Sequence, residues 1–512
     1  MQKATVKMGH GIIMIIIVLF SVQLLSCKKD SNNPPGMPVV KPDIVFYTVN
    51  TSAQLSKYNA MASASAIATV TISGLQPAET ILSIDFRPAT GELYGLGSTS
   101  RLYIINPASG MAREVGMGPF TPALSGTIVG FDFNPTVDRI RIVTSTGQNL
   151  RMHPETGAIV ATDGNINGPA GPMVTAVAYS GNKAGSSFTT LFDIDVATKK
   201  LYKQIPPNNG TLVEVGTLGI APTGEGGFDI SPDGAVALAA FTVDGKSALY
   251  GIDTATGKAT KLGNFGGTAA ITGIAIPTEP VAYAVDENNA LLIFNPMKPA
   301  MPVSKPITGT VMMDEKIIGL DFRPLNGQLY ALGSGGNLYT INASSGAATL
   351  VGPGSFTTLV GGYAGFDFNP TVDRIRVITS TGQNLRLHPT TGLLVATDGI
   401  LNPGKPHVTG AAYNNNFAGA TTTTLFDIDC GVDKLYKQIP PNDGTLVEVG
   451  SLGVDAQSDN GFDIGSTSGK AYALLTVGGS TAIYTINLET GAAAKLTDFP
   501  VKARGFTVGL GF

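Results

Sequence analysis

Gly130-Phe131-Asp132-Phe133-Asn134-Pro135-Thr136-Val137-Asp138-Arg139-Ile140-Arg141 returns unchanged as Gly365-Phe366-Asp367-Phe368-Asn369-Pro370-Thr371-Val372-Asp373-Arg374-Ile375-Arg376. The match runs on through Gln148-Asn149-Leu150-Arg151 and Gln383-Asn384-Leu385-Arg386, so the chain holds two homologous halves at an offset of about 235 residues. A finer period lies inside each half. A strand-like pentad recurs as Ile84-Asp85-Phe86-Arg87-Pro88, Phe131 to Pro135, Val177-Ala178-Tyr179-Ser180-Gly181, Phe228-Asp229-Ile230-Ser231-Pro232 and Ile274-Ala275-Ile276-Pro277-Thr278. The second half repeats the series at Asp321, Asp367, Ala412, Asp463 and Gly511. Steps of roughly 46 to 51 residues are those of propeller blades.

Each pentad is followed by further short strands and turn phrases. Leu249-Tyr250-Gly251-Ile252 leads into Asp253-Thr254-Ala255-Thr256-Gly257, a strand and then a turn. Pro206-Pro207-Asn208-Asn209-Gly210 and Pro440-Pro441-Asn442-Asp443-Gly444 read as hairpin tips, because Asn-Gly and Asp-Gly tolerate the positive φ of a tight turn. Four strands per unit is the economical count. Such sheets cannot bury both faces alone, but arranged radially each covers its neighbour. The expected fold is all-β: tandem β-propellers, two five-bladed rings of four-stranded blades.

The opening unit, Ile44 to Ile72, has three strands and no pentad, whereas Gly273 to Ile276 and Gly509 to Phe512 are left over at the ends of the halves. Lending a final strand to the opening blade shuts a ring and removes its exposed edge. This predicts one propeller over 43–276 and another over 281–512. The alternative is one ten-bladed ring through the short link Pro277-Thr278-Glu279-Pro280; blade numbers of about 4 to 8 favour two.

Composition agrees. Of 512 residues 43% are hydrophobic and 14% charged, against a usual charged share of about 25%, and Gly 64 with Pro 32 supplies turn-formers throughout. A net charge of −4 without a basic block excludes nucleic acid as a partner class.

The amino end reads as an address. Lys3 and Lys7 precede the apolar run Gly11 to Leu25, which at about 15 residues is shorter than a membrane-spanning helix needs. Leu24-Leu25-Ser26-Cys27 resembles the lipobox of bacterial lipoproteins. This implies a signal peptide over 1–26, lipidation at Cys27, and a polar tether over 27–42 that holds the chain to a membrane through its lipid anchor. Its charged start, Lys28-Lys29-Asp30, resembles the export signals of surface-displayed lipoproteins, which implies an outer membrane or cell-surface location. Cys430 is then the one remaining cysteine; its counterpart in the first half is Val196, and it reads as a buried small hydrophobe.

The phrases Asp85-Phe86-Arg87-Pro88, Gly130 to Arg141 and Thr144 to Arg151, with their partners in the second half, resemble a bacterial family catalogued as domain of unknown function 4394. The resemblance covers both halves. It implies secreted or surface proteins and supplies no catalytic residue.

Two residue sets carry possible chemistry. Asp85, Asp132 and Asp229, and in the second half Asp321, Asp367 and Asp463, approach a common axis if the pentads are innermost strands. Three carboxylates there suit Ca²⁺ or a polar ligand channel, or else accept hydrogen bonds from neighbouring blades. The second set is Arg139, Arg141 and Arg151, repeated as Arg374, Arg376 and Arg386. Guanidinium forks suit an anionic ligand, and the same atoms make a buried ion network between blades. His153, His388 and His407 are too scattered for zinc, and the first two read as loop caps. No nucleophile elbow, phosphate loop or metalloprotease helix occurs.

Three functional readings follow. A lipid-anchored, non-enzymatic module binding glycan or an envelope protein comes first. An extracellular carbohydrate-active hydrolase or lyase using the channel aspartates is the second, and a purely architectural role the third.

Overall fold

Asp132 and Phe133 lie on the innermost strand of a four-stranded antiparallel sheet. Val129–Asn134 pairs with Arg139–Thr144, that strand with Asn149–Met152, and that in turn with Ile159–Thr162. The structure, a computed structural model, describes residues 39–168 and 171–512. The leader, Cys27 and the tether up to residue 38 lie outside the described residues. Among those described there are ten such sheets, no α-helix and three single 3-10 turns.

Alternation along each strand sorts side chains onto two blade faces. In this third blade Phe131, Phe133, Ile140, Ile142 and Leu150 face the second blade's Leu96, Leu102 and Tyr94. Val143 faces the fourth blade's Val177, Leu191 and Tyr202. Full burial of a side chain such as Phe133, at 0% exposure, is worth about 1.5–3 kcal/mol. The turns obey local chemistry: Asn134 Oδ1 accepts from both the amide (3.0 Å) and the hydroxyl (2.7 Å) of Thr136. The Pro207–Asn209 turn ends at Gly210, whose φ of 67° is the left-handed conformation expected of the Asn-Gly tip.

Apolar clusters run from blade to blade around each half. In the first half they join blades one and two, two and three, three and four, four and five, and then five back to one, where Leu238, Ala240 and Leu249 pack on Phe46 and Tyr58. The closing strand is Ile271–Ala275, which pairs with Val45–Asn50. In the second half Ala503–Val508 pairs with Ala282–Asp286 in the same way. Each half thus closes on itself as a five-bladed ring, and the ten-bladed alternative is wrong: the final strand of the first half returns to its own first blade.

One register expectation is also corrected. The inner strand that closes the second ring is Ala503–Val508, with Thr507 in the place expected for Gly511. The last four residues leave the sheet and lie against the first ring, where Gly511 N donates to Thr90 O (2.8 Å). Residues Lys41–Phe512 form one compact unit. Within it, the turn after strand Ile81–Phe86 inserts Ala89 into the apolar core of the second ring, and Tyr283 Oη donates to its carbonyl (2.9 Å).

Candidate functional site

The pentads do form the innermost strands, and the aspartates meet. In ring order the equivalent positions are Ala275, Asp85, Asp132, Ala178 and Asp229, and in the second ring Thr507, Asp321, Asp367, Ala412 and Asp463. One carboxylate oxygen from each of Asp85, Asp132 and Asp229 lies within 4.8 Å of the others, as does one from each of Asp321, Asp367 and Asp463. All six residues are 1% exposed.

Their hydrogen bonds run between blades. Asp85 Oδ1 accepts from Phe86 N (2.7 Å) and Oδ2 from Phe133 N on the next blade (2.8 Å). Asp229 repeats this with Ile230 N (2.6 Å) and Ile276 N (2.5 Å). Asp132 Oδ1 accepts from Tyr179 N (3.0 Å), while its Oδ2 has no partner. In the second ring Asp321 accepts from Phe368 N, Asp367 from Tyr413 N and Asp463 from Val508 N, with Thr507 Oγ1 between Asp321 (3.1 Å) and Asp463 (2.9 Å). Asp367 Oδ2 again has no partner. Burial, reinforced by neighbouring carboxylates, pushes Asp85, Asp132, Asp321 and Asp367 well above the usual range. The carboxylates tie blades together, and they are closed off from any substrate-sized molecule.

The arginines separate into different roles. Arg141, 2% exposed, donates to Asn149 Oδ1 (2.7 Å), Asp163 Oδ2 (2.6 Å) and, across to the fourth blade, Asn208 Oδ1 (2.8 Å). Arg151 grips Asp163 with Nε and Nη2 (2.7 and 3.0 Å). Arg139 reaches only backbone carbonyls, those of Asp138 and Val137. Arg376 and Arg386 converge on Asp398 in the same way, and Arg374 reaches the carbonyl of Asp373. With their forks spent on their own chain, Arg141 and Arg376 tie neighbouring blades together, while Arg139 and Arg374 take no part in the network. Burial pushes the Asp163 carboxyl up, but hydrogen bonds from Arg151 and Arg141 outweigh it and hold the group below its ordinary value. Asp163 and Asp398 escaped the sequence reading, although Thr162-Asp163-Gly164 returns as Thr397-Asp398-Gly399. Beside the network sit Asp193 and Asp427, buried with both oxygens unpartnered. Burial pushes Asp427 up to about 8, against the pull of Arg376.

The remaining candidates are local. His153 Nδ1 accepts from Glu155 N (3.4 Å) and His388 Nδ1 from Thr390 N (3.2 Å), which are loop caps as expected. His407 meets Ser458 Oγ (2.9 Å). Cys430 is half-buried, not buried, and its thiol lies against Thr409 Oγ1 (3.1 Å) and Asn460 Nδ2 (2.9 Å), with burial pushing it up to about 11.

What the sequence did not show is a cavity of about 1020 Å³ between the rings, just above the roughly 300–1,000 Å³ of most small-molecule sites. The hairpin Thr90–Leu93, Asn106 to Glu114, the link Pro277–Val281, Pro324 and Leu325, Asn416 to Gly419 and the final residues line it. Leu325, Met111 and Phe417 expose apolar surface there, at 45%, 64% and 46%. Three oxygens at its wall, Glu92 Oε2, Thr278 Oγ1 and Asn416 Oδ1, are buried without a partner. Burial raises Glu92 above its ordinary value against the opposing pull of Arg113 and Arg87. These groups come from five distant segments, so no spacing in the sequence announces them.

A profile of the family described as Domain of unknown function (DUF4394) matches residues 54–275 and again 290–507. The chain belongs to this family. Each DUF4394 copy is therefore one five-bladed ring in the structure, with the opening strand Val45–Asn50 outside the matched segment. No curated protein matches the chain. Similar solved structures include the Dos1 propeller, 14% identical with a TM-score of 0.26 over 65% of this chain and 89% of that one. The extracellular domain of the putative one-component system BT4673 from B. thetaiotaomicron is 10% identical, with a TM-score of 0.26 over 91% and 66% of the two chains. PorZ, a surface component of the type-IX secretion system of Porphyromonas gingivalis, is 13% identical, with a TM-score of 0.25 over 88% and 57%. The DUF4394 chain thus spans about two thirds of the BT4673 domain and rather more than half of PorZ. No helix among its described residues is long and apolar enough to cross a membrane.

Proposed function

We propose that the chain is a non-enzymatic binding protein of the bacterial envelope and that the cleft between its two DUF4394 rings holds a carbohydrate segment. The observation that carries this is the cleft itself: a cavity of about 1020 Å³ with apolar projections, lined by Glu92, Thr278 and Asn416, each of which keeps one acceptor oxygen without a partner just beneath the surface. Buried acceptors need donors. Sugars offer rows of O–H donors beside C–H faces that pack on groups such as Phe417 and Leu325. Leu24-Leu25-Ser26-Cys27 supports attachment through a lipid on Cys27, which would hold the cleft at a membrane surface.

A glycan array probed with the full chain, followed by calorimetry on its hits, tests the reading. A specific glycan whose affinity falls about tenfold or more in Phe417→Ala and in Glu92→Gln is expected, a loss of about 1.4 kcal/mol. An array without a specific binder, or a glycan whose affinity neither variant alters, overturns it. Loss of fatty-acid labelling and of detergent-phase partitioning in Cys27→Ser tests the anchor; a chain that labels and partitions as before overturns that part.

A further inference from the structure

Three carboxyl groups closed into the middle of each ring are stable there only when neutral, paired or coordinated, because burial disfavours their charged form. Among the described residues no lysine or arginine forms an ion pair with Asp85, Asp132, Asp229, Asp321, Asp367 or Asp463. Arg141, opposite Asp132 in the ladder, directs its guanidinium to Asp163 and Asn208 instead. Backbone amides satisfy most of the oxygens, yet in both rings one is left over at the same position, Asp132 Oδ2 and Asp367 Oδ2.

The second ring adds an independent feature. Two residues before its axial positions stand Gly319, Gly365, Gly410, Gly461 and Gly505, which line a small cavity together with Thr409 and Asn460. A Cβ on Gly461 would collide with the backbone of Phe506, so the strands come this close only without side chains. Asn460 lines this cavity at 4% exposure, and its Oδ1 has no partner. Leu320 and Phe462 on the same wall directly precede Asp321 and Asp463, so the cavity lies one step along the inner strands from the carboxylates, which do not themselves line it.

From this geometry we infer that each ring binds one calcium-sized divalent cation on its axis, held by Asp85, Asp132 and Asp229 in the first and by Asp321, Asp367 and Asp463 in the second. Size fits the assignment: three oxygens within 4.8 Å of one another lie no more than about 2.8 Å from their common centre, and Ca²⁺ bonds oxygen at about 2.3–2.6 Å. Charge and hardness fit as well, since carboxylate oxygens select Ca²⁺ over thiophilic metals. Except at Asp463 Oδ2, which accepts from both Val508 N and Thr507 Oγ1, each oxygen keeps a free lone pair, so a backbone hydrogen bond and a metal bond coexist on one carboxylate. The ion then couples three blades of the ring, and its role is to lock the ring shut, independent of what occupies the cleft.

The test uses the full chain stripped with a chelator, desalted, and titrated with Ca²⁺ while metal content is counted by plasma mass spectrometry. Two equivalents per chain are expected, with a rise in Tm on loading. Asp132→Asn and Asp367→Asn, which keep shape and hydrogen bonding on one edge, should each remove one equivalent, and the double variant both. If either variant fails to fold, the wild-type count decides alone: less than one equivalent at about 1 mM free Ca²⁺, the weak end of extracellular calcium modules, overturns the proposal. Two equivalents retained by the double variant overturn it too. A single equivalent removed only by Asp367→Asn overturns it for the first ring.

Discussion

Arg87 Nη1 in the first ring donates to the carbonyl of Gly327 in the second at 2.9 Å, joining two hairpins that occupy equivalent places in the duplicated halves. Arg87 is 0% exposed; its Nε (2.9 Å) and Nη2 grip Asp138, and Nη2 also reaches Glu155 Oε1 (2.8 Å). Its counterpart Arg323 holds Asp373 alone, near the surface. A shared phrase therefore serves two purposes: the first copy became the socket by which the rings dock, and the second kept an ordinary intra-ring pair.

That difference gives unequal costs. Lysine cannot reproduce the fork that Arg87 offers. Arg87→Lys should lower stability by about 3–5 kcal/mol, as breaking a buried pair does, while Arg323→Lys should cost about 1 kcal/mol or less. Urea unfolding of both variants checks the contrast, and equal losses would remove the docking role.

Glu155 makes the same socket sensitive to pH. Burial pushes its carboxyl up to about 7, against the pull of Arg87 and with the charge of Asp138 adding to the rise. The folded chain therefore keeps a proton there that the unfolded chain gives up near the ordinary glutamate value of about 4.3. Its contribution to stability is complete below that value and is lost as pH rises through about 7. Relative to Glu155→Gln, the wild type should lose stability between about pH 4.3 and about pH 7, by at most about 1.4 kcal/mol per pH unit, and level off above that. Thermal melts of the two proteins across that range give the difference, and parallel curves would refute it. The second copy has Thr390 at this position and lacks the group altogether.

Asp163 should matter more than any single arginine around it. It accepts from both Arg141 and Arg151 and is nearly buried, with 7% of its side chain exposed. Asp163→Asn leaves Arg141 charged and uncompensated between the third and fourth blades, where the apolar cluster is small. A loss of about 3–5 kcal/mol is expected from that buried guanidinium, and a smaller one from Arg151→Lys, whose side chain is 34% exposed. Chemical denaturation of the pair decides it.

The sequence carried the rings because repetition and alternation are local. The pentads at Asp85, Asp132 and Asp229 mark their strands as innermost, and the first unit, three strands without a pentad, asks for a closing strand. Alternation cannot assign a partner to a loop residue, and so Asp163 and Asp398 went unread. Gly511 was misplaced because Gly509-Leu510-Gly511-Phe512 resembles a strand, while the preceding Gly505-Phe506-Thr507-Val508 is the segment with both a backbone ladder and an axial side chain. The cleft depends on how two finished rings meet, which no periodicity within either ring encodes. The axial carboxylates were legible as a cluster; that five of six oxygens in the first ring accept backbone amides was not.

Gly511 should control the docking without touching either ring's core. Its amide bonds Thr90 O, and a Cβ there would stand on the Gly91 carbonyl and 2.8 Å from Glu92 N, so the two backbones meet only because neither residue has a side chain at the contact. A Gly511→Val chain must shift the last residues or part the hairpin Thr90–Leu93 from them, and both lie on the wall of the cleft. The first-ring clusters that join blades three and four, four and five, and five and one contain no residue of this contact, so their melting transition should stay within a few degrees of wild type while the second ring, which receives Ala89 and Tyr283's bond to it, unfolds earlier. Small-angle scattering should show an increased radius of gyration at temperatures where circular dichroism still reports full strand content. An unchanged radius would mean that the other contacts between the rings, those of Arg87, Ala89 and Arg113 among them, hold the rings without the final four residues, which would then have no part in setting the shape of the cleft.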